Sequence, residues 1–423
     1  MVRAQSDTTY RHWISVHMQT TQVVQYKPSF HASYSGPNSL RTVEETQTSI
    51  TSTLFIGAHP WRGASAFFNP ELAGGSGLTG ALGVASSTNG ETFRVGNPQP
   101  QFYNARLFIR QDIAIGALHN REFVIPEPNE LGGFRPRDRI TITVGKICMA
   151  DLFDDNAYAH DPRSQFLSWG LMDNGAWDYA ANVRGYTPAF AIELFKGDNE
   201  LRYALALLPK QANGATMDWD LGRSRAHMIE YARHYRWHGR KGTARALAFH
   251  NTAPMGDYRT SIAAATDSLP SIIATRQAGR TKWGIGISID QELGKYLGAF
   301  LRAGWNDGKH ETWAYTEIDE QVSAGLSFKG DLWRRANDNI GIACIVSGLS
   351  TAHRDYLAAG GTGFMLGDGA LEYDTEKVAE FYYSFALTND IRLSGTYQFV
   401  ASPGYNAARG PVNVLSLRLH VEL

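Results

Sequence analysis

Asn413-Val414-Leu415-Ser416-Leu417-Arg418-Leu419-His420-Val421-Glu422-Leu423 alternates apolar and polar residues without a break. In an extended chain this puts Leu415, Leu417, Leu419, Val421 and Leu423 on one face and Ser416, Arg418, His420 and Glu422 on the other. The same period of two recurs along almost the whole chain. Sixteen segments carry it: about 13–25, 46–57, 63–72, 104–116, 139–148, 186–196, 200–209, 227–237, 243–251, 281–293, 296–305, 320–329, 339–348, 377–388, 391–401 and 412–423. Most reach the roughly 9–11 residues that a tilted strand needs to cross a bilayer.

The connections sort by length. With the first strand running outward, the inner set is mostly short: 58–62, 197–199, 238–242, 294–295, 330–338 and 389–390. The outer set is mostly long: 27–45, 73–103, 149–185, 211–226, 252–280 and 350–376. Short turns alternating with long loops on an even number of strands is the pattern of an outer-membrane barrel, and a soluble sandwich has no reason to sort its loops this way. One connection breaks the rule. Residues 117–138 are long on the short side and Pro-rich, which suggests a plug or skirt. No linker or repeat divides the chain, so residues 1–423 are expected to form one domain.

Composition agrees. The 423 residues carry 40 basic and 41 acidic side chains, a balance that gives no case for a nucleic-acid partner. No run approaches the ~20 apolar residues of a membrane helix, but alternating strands average out as polar and escape that test. Cys148 and Cys344 stand far apart, outside any metal or disulfide spacing. The start, Met1 to Ser6, has no apolar core of a secretory signal. Either the protein stays in the cytoplasm or this is a mature form, and Ala4 before Gln5 is compatible with a trimmed cleavage site.

The polar faces decide which way the barrel is turned. Mid-strand they hold Arg106, Arg110, Asp112, Glu193, Glu230, Asp290, Arg302, Glu380, Arg392 and Arg418. Such charges are costly if buried dry and unpaired, whereas around a water-filled lumen they pair and stay hydrated. The opposite faces stay apolar and include aromatic girdle candidates such as Trp283, Trp305, Tyr383 and Phe399. Sixteen strands leave an aqueous channel that something must narrow. The stretch Met149–Gly185 is placed to do so. It fits neither strand nor amphipathic helix, and it interleaves Asp151, Asp154, Asp155, Asp161, Asp173 and Asp178 with Phe153, Tyr158, Phe166, Trp169, Trp177 and Tyr179. Carboxylates beside flat rings suit a neutral polyhydroxylated solute.

Several motifs resemble the carbohydrate-selective porins of Gram-negative outer membranes, the OprB family. They are Tyr34-Ser35-Gly36-Pro37-Asn38-Ser39-Leu40, Phe68-Asn69-Pro70-Glu71, Val144-Gly145-Lys146, Phe153-Asp154-Asp155-Asn156 with His160-Asp161-Pro162-Arg163, Met172 to Tyr179, Ala303 to Gly308, His353-Arg354-Asp355-Tyr356 and Asn406 to Gly410. They run in order along nearly the whole chain. Leu423, where most such barrels have Phe or Trp, is a departure. The resemblance implies an all-β, 16-stranded antiparallel transmembrane barrel with short periplasmic turns, long extracellular loops and an inward-folded constriction loop. It implies passive diffusion of sugars (mono- or oligosaccharides), outer-membrane lipid as surroundings, and a monomer or homo-oligomer. No cofactor or metal is expected.

By strand alternation, Arg106 and Arg110 are expected to face Asp154, Asp155 and Asp161 across a wet gap, with Trp169 or Trp177 covering a sugar ring and Asp173 nearby. The alternative for Asp154, Asp155 and Asp178 is capping turns or holding the loop through backbone hydrogen bonds. For the arginines it is pairing with a neighbouring strand's carboxylate. Two other functions are weighed. A glycan-acting enzyme would need a carboxylate dyad at ~5–5.5 or ~6.5–9.5 Å, which Asp154/Asp155 or Asp173/Asp178 do not fix by sequence. A plugged structural barrel anchoring an envelope partner would carry no current.

Overall fold

Alternation puts every second side chain on one surface, and a ring of such strands has an inside and an outside. The computed structural model describes residues 13–92, 98–117 and 120–423; the reading of Met1 to Ser6 lies outside them. The strands, in chain order, are β1 (Ile14–Lys27), β2 (Glu45–Ala58), β3 (Ala64–Gly75), β4 (Gln101–Ala114), β5 (Arg121–Val124), β6 (Gly133–Pro136), β7 (Arg139–Ile147), β8 (Thr187–Lys196), β9 (Asn199–Leu207), β10 (Arg225–Trp237), β11 (Arg240–Ala253), β12 (Arg280–Glu292), β13 (Leu297–Asn306), β14 (Glu320–Lys329), β15 (Asn339–Gly348), β16 (Glu376–Ala386), β17 (Ile391–Ala401) and β18 (Val412–Glu422). Sixteen of them close into one antiparallel barrel, each beside its sequence neighbour, and β5–β6 form a separate hairpin. The cylinder shuts where β1 pairs with β18, from Gln19 opposite Glu422 to Tyr26 opposite Leu415. All sixteen alternating segments are barrel strands.

The surface is turned inside out relative to a soluble protein. On β18, Leu415 and Leu417 are 50% and 53% exposed, while Arg418, on the opposite face, is fully buried. The outer faces of β12 to β15 repeat this with Ile285, Ile287, Leu301, Val322, Ile342 and Val346. Paired tryptophans mark one rim: Trp283 and Trp305 meet edge to face at 5.1 Å near the long-loop ends of β12 and β13. Exposed Trp13, Trp61 and Trp237 stand at the other rim. An apolar band between aromatic rims is the dress of a barrel in lipid. No described helix is long and apolar enough to cross a membrane, which says nothing against crossing by strands.

One irregularity positions the site. The β3–β4 ladder pairs Asn69 with Arg106 and then Pro70 with Asn104, skipping Ala105. The extra residue is a bulge, and it resets which side chains point inward. Tyr103 and Arg106 are three apart, yet both reach the lumen. Pro70 sits where the ladder is already broken, as a proline in a strand requires.

Candidate functional site

The long connection after β7 (148–186) folds into the barrel, and the wall grips it mainly through its backbone. Glu380 of β16 accepts from the backbone N–H of Leu167 at 2.6 Å and of Ser168 at 2.9 Å. Arg302 of β13 donates to the carbonyls of Leu171 at 2.7 Å and Ala159 at 2.8 Å, and pairs with Asp154 at 2.9 Å. Glu230 of β10 accepts from the N–H of Asp154 at 2.8 Å, and Gln321 of β14 from that of Gly175 at 2.9 Å. Arg418 donates to the carbonyls of Pro162 and Gln165. Asp178 accepts three N–H groups, from Trp313, Ala314 and Tyr315, at 2.7–3.1 Å. A loop inside a barrel has no sheet to satisfy its peptide groups, so inward wall charges do that work.

This resolves the roles of several expected residues. Asp154, Asp173 and Trp177 are buried, as are Glu230, Arg302, Glu380 and Arg418. The four wall residues face inward as alternation requires, but the loop covers them. The expected pairing of Arg106 and Arg110 with Asp154, Asp155 and Asp161 does not form. Arg106 binds Asp151 through two bonds of 2.6 Å, and Arg110 meets Glu130 at 2.7 Å. Asp154 has a left-handed backbone, φ 57°, and is turned to the wall, where Arg302 takes it. Trp177 packs among Phe153 and Tyr179. Trp169 stacks on Tyr315, rings 5.6 Å apart and 12° from parallel, and gives its indole N–H to Asn89.

Asp155 stands exposed in the lumen. Asp161 accepts from Ser164 at 2.7 Å and from the N–H of Arg163 at 3.0 Å, beside the lower chamber. Low on the wall, Glu193 and Glu230 share Arg202 at 3.1 and 3.0 Å, and Asp290 takes Arg245. Asp112 accepts from Thr141 at 2.6 Å. Arg392 donates to the Asn337 carbonyl at 2.7 Å on the short-turn rim.

A recess opens between the loop and the wall of β2 to β4. Its free volume is about 110 Å³, against about 820 Å³ for the chamber on the short-turn side. Glu71, Glu91, Tyr103, Arg163, Trp169 and Tyr186 line the recess. Arg163 bridges Glu91 at 3.2 Å and Glu71 at 3.9 Å. Glu71 also accepts from Thr53 at 2.6 Å, from Tyr186 at 3.3 Å and from Tyr103. The Arg184 guanidinium lies 4.0 Å over the Tyr103 ring and that of Arg106 5.1 Å over Tyr186. The Arg106 guanidinium, bound to Asp151 through two hydrogen bonds, holds that carboxyl below its usual range. Burial opposes protonation of His160. The neighbouring carboxylates of Asp173, 3.5 Å away, and Asp155 outweigh it and raise His160 to about 9.

Sequence reading missed Glu71, Glu91, Tyr103, Arg163 and Tyr186. Glu71 and Arg163 stood in quoted motifs, and Glu71 shares the inward face of its strand with Asn69. The bulge at Ala105 hid Tyr103 from simple alternation.

The family model of the carbohydrate-selective porins, OprB family, matches residues 38–423. Among solved structures, the high-pH form of Pseudomonas putida OprB superposes with a TM-score of 0.73 at 15% identity, over 97% of this chain and 94% of that one. The low-pH form of the same protein gives 0.52 at 11% identity, over 97% and 92%. The outer-membrane channel DcaP of Acinetobacter baumannii gives 0.53 at 9% identity, over 97% of each chain. At these identities the likeness is one of fold. No curated protein matches the chain in sequence.

Proposed function

The chain belongs to the carbohydrate-selective porins of the OprB family, Gram-negative outer-membrane barrels that are channels and not enzymes, and from that membership we propose that it passes neutral sugars through the recess between the constriction loop and β2–β4. The observation that carries this is charge balance in the recess. Arg163 and Arg184 stand against Glu71 and Glu91 in the recess, and Arg106 beside it is answered by Asp151. Paired charges leave little net field for an ion to follow, yet keep many donors and acceptors for hydroxyl groups. Tyr103, Tyr186 and Trp169 supply faces for the C–H side of a sugar ring. Binding there must stay weak and spread over several groups, because a passive pore has to release what it admits.

Liposome swelling tests the reading. Glucose is expected to enter faster than an equal-sized polyol of different shape, and Arg163→Ala is expected to reduce that preference. Equal rates for both solutes in the unaltered protein would remove sugar selectivity from the recess.

A further inference from the structure

The Pro-rich connection between β4 and β7 is not a surface skirt. Pro126 and Pro128 lack backbone donors, and Asn129 takes the left-handed conformation, φ 60°, that asparagine tolerates. The resulting turn joins β5 to β6 and carries its tip into the periplasmic mouth of the barrel. Leu131 is buried there against Phe67, and a side chain at Gly57 would meet it at 3.0 Å. Both Phe67 and Gly57 are on lumen faces.

Charge fixes the hairpin alongside. Arg110 of β4 binds Glu130 at 2.7 Å. Glu130 lies 3.5 Å from Arg135, and Arg135 binds Glu122 at 2.7 Å. Glu122 lies 3.3 Å from Arg139 of β7, which is 3.7 Å from Asp112 of β4. The result is an unbroken chain of six alternating charges, three of each sign, running from wall to hairpin and back to wall. Glu122, Glu130 and Arg135 each keep about a third of their side chain open to water.

We propose that this hairpin is a second selectivity element, placed at the periplasmic mouth, and that Glu130 is its specificity-determining residue. Arg110 and Glu130 both keep part of their side chains open to water, so a change of charge at this pair is felt by ions in the mouth. With the ladder complete its six charges cancel. Without Glu130, the lumen-facing Arg110 loses its partner, and an uncompensated positive charge in a wet channel concentrates anions. The inference rests on the chain being a conducting channel and is independent of where sugars bind above.

Planar-bilayer reversal potentials in a KCl gradient test it. Glu130→Gln is expected to raise the chloride-to-potassium permeability ratio by about twofold or more, and Arg110→Gln to lower it by a similar factor. The double variant is expected to return near the unaltered value. Replacing 121–136 by a short turn is expected to raise single-channel conductance, and the point variants keep the idea testable if that deletion does not fold. A conducting protein whose ratio is unmoved by both single variants would overturn this proposal alone. An unaltered protein that carries no current would overturn it together with the channel reading.

Discussion

Arg302 of β13 and Asp154 of the constriction loop meet at 2.9 Å in a place sealed from water, and both are almost wholly buried. The pair is a clamp on the loop and not part of the solute's path. Removing one partner of a buried pair leaves the other charged and unanswered, which costs about 3–5 kcal/mol. Arg302→Met is therefore expected to free the loop. Its signature is noisier, larger single-channel conductance and protease cleavage within 149–185. Asp154→Asn added to it is expected to recover part of the loss, as a double-mutant cycle in urea unfolding would register.

Glu380 offers a subtler version of the same grip. It accepts two backbone N–H groups, and Gln at this position keeps one acceptor oxygen and brings a donor where none is wanted. One orphaned buried N–H costs about 1–3 kcal/mol. Glu380→Gln is expected to lower the unfolding midpoint of the purified barrel while leaving its strand content, read by circular dichroism, unchanged.

At the recess, Glu91→Gln removes one of the two carboxylates that answer Arg163. The remaining one, Glu71, is 3.9 Å from it. Arg163 and Arg184 then face Glu71 alone, so a net positive recess is expected, with the reversal potential shifted toward anion preference and slower entry of a cationic amino sugar than of glucose. No shift in either measurement would place Arg163 outside the permeation path.

His160 sets a pH limit on the loop. Its folded value, about 9, lies above the ordinary 6.5. The stabilisation it gives through Asp173 and Asp155 is therefore complete below about pH 6.5 and is lost as pH rises through about 9. Protease sensitivity of the loop is expected to rise between pH 7 and 9.5 in the unaltered protein. His160→Gln is expected to be sensitive already at pH 7, with a flatter profile; identical profiles would remove His160 from the loop's anchorage.

Cys344 gives a check on the face assignment. It lies on the outer surface of β15 beside exposed Ile342 and Val346. A membrane-impermeant maleimide is expected to label it in unfolded protein but not in proteoliposomes.

Alternation made the barrel legible because it depends only on local geometry: a side chain two residues along must share a face. It puts Arg302, Glu380 and Arg418 on the polar face of their strands, the side on which each meets the loop. It could not say what occupies the lumen at their height, because that depends on a loop packed against strands more than a hundred residues away. The same limit explains Asp154, whose partner was assigned to β4 and lies on β13. The loop's capping role was among the readings open for Asp154 and Asp178, and their backbone and wall contacts agree with it. Tyr103 was lost for a local reason, the one extra residue at Ala105. The role of 117–138 was out of reach because an ionic ladder is a product of pairing in space, with no period in the chain.

Five of the wall groups that grip the constriction loop are Glu230, Arg302, Gln321, Glu380 and Arg418. All are on strands synthesised after the loop itself, and the seam that closes the cylinder joins β1 to β18. During assembly the loop must therefore wait without its partners until the second half of the wall has arrived. The pore is expected to form wide and to narrow last, so that the filter is the final piece of the molecule to be set.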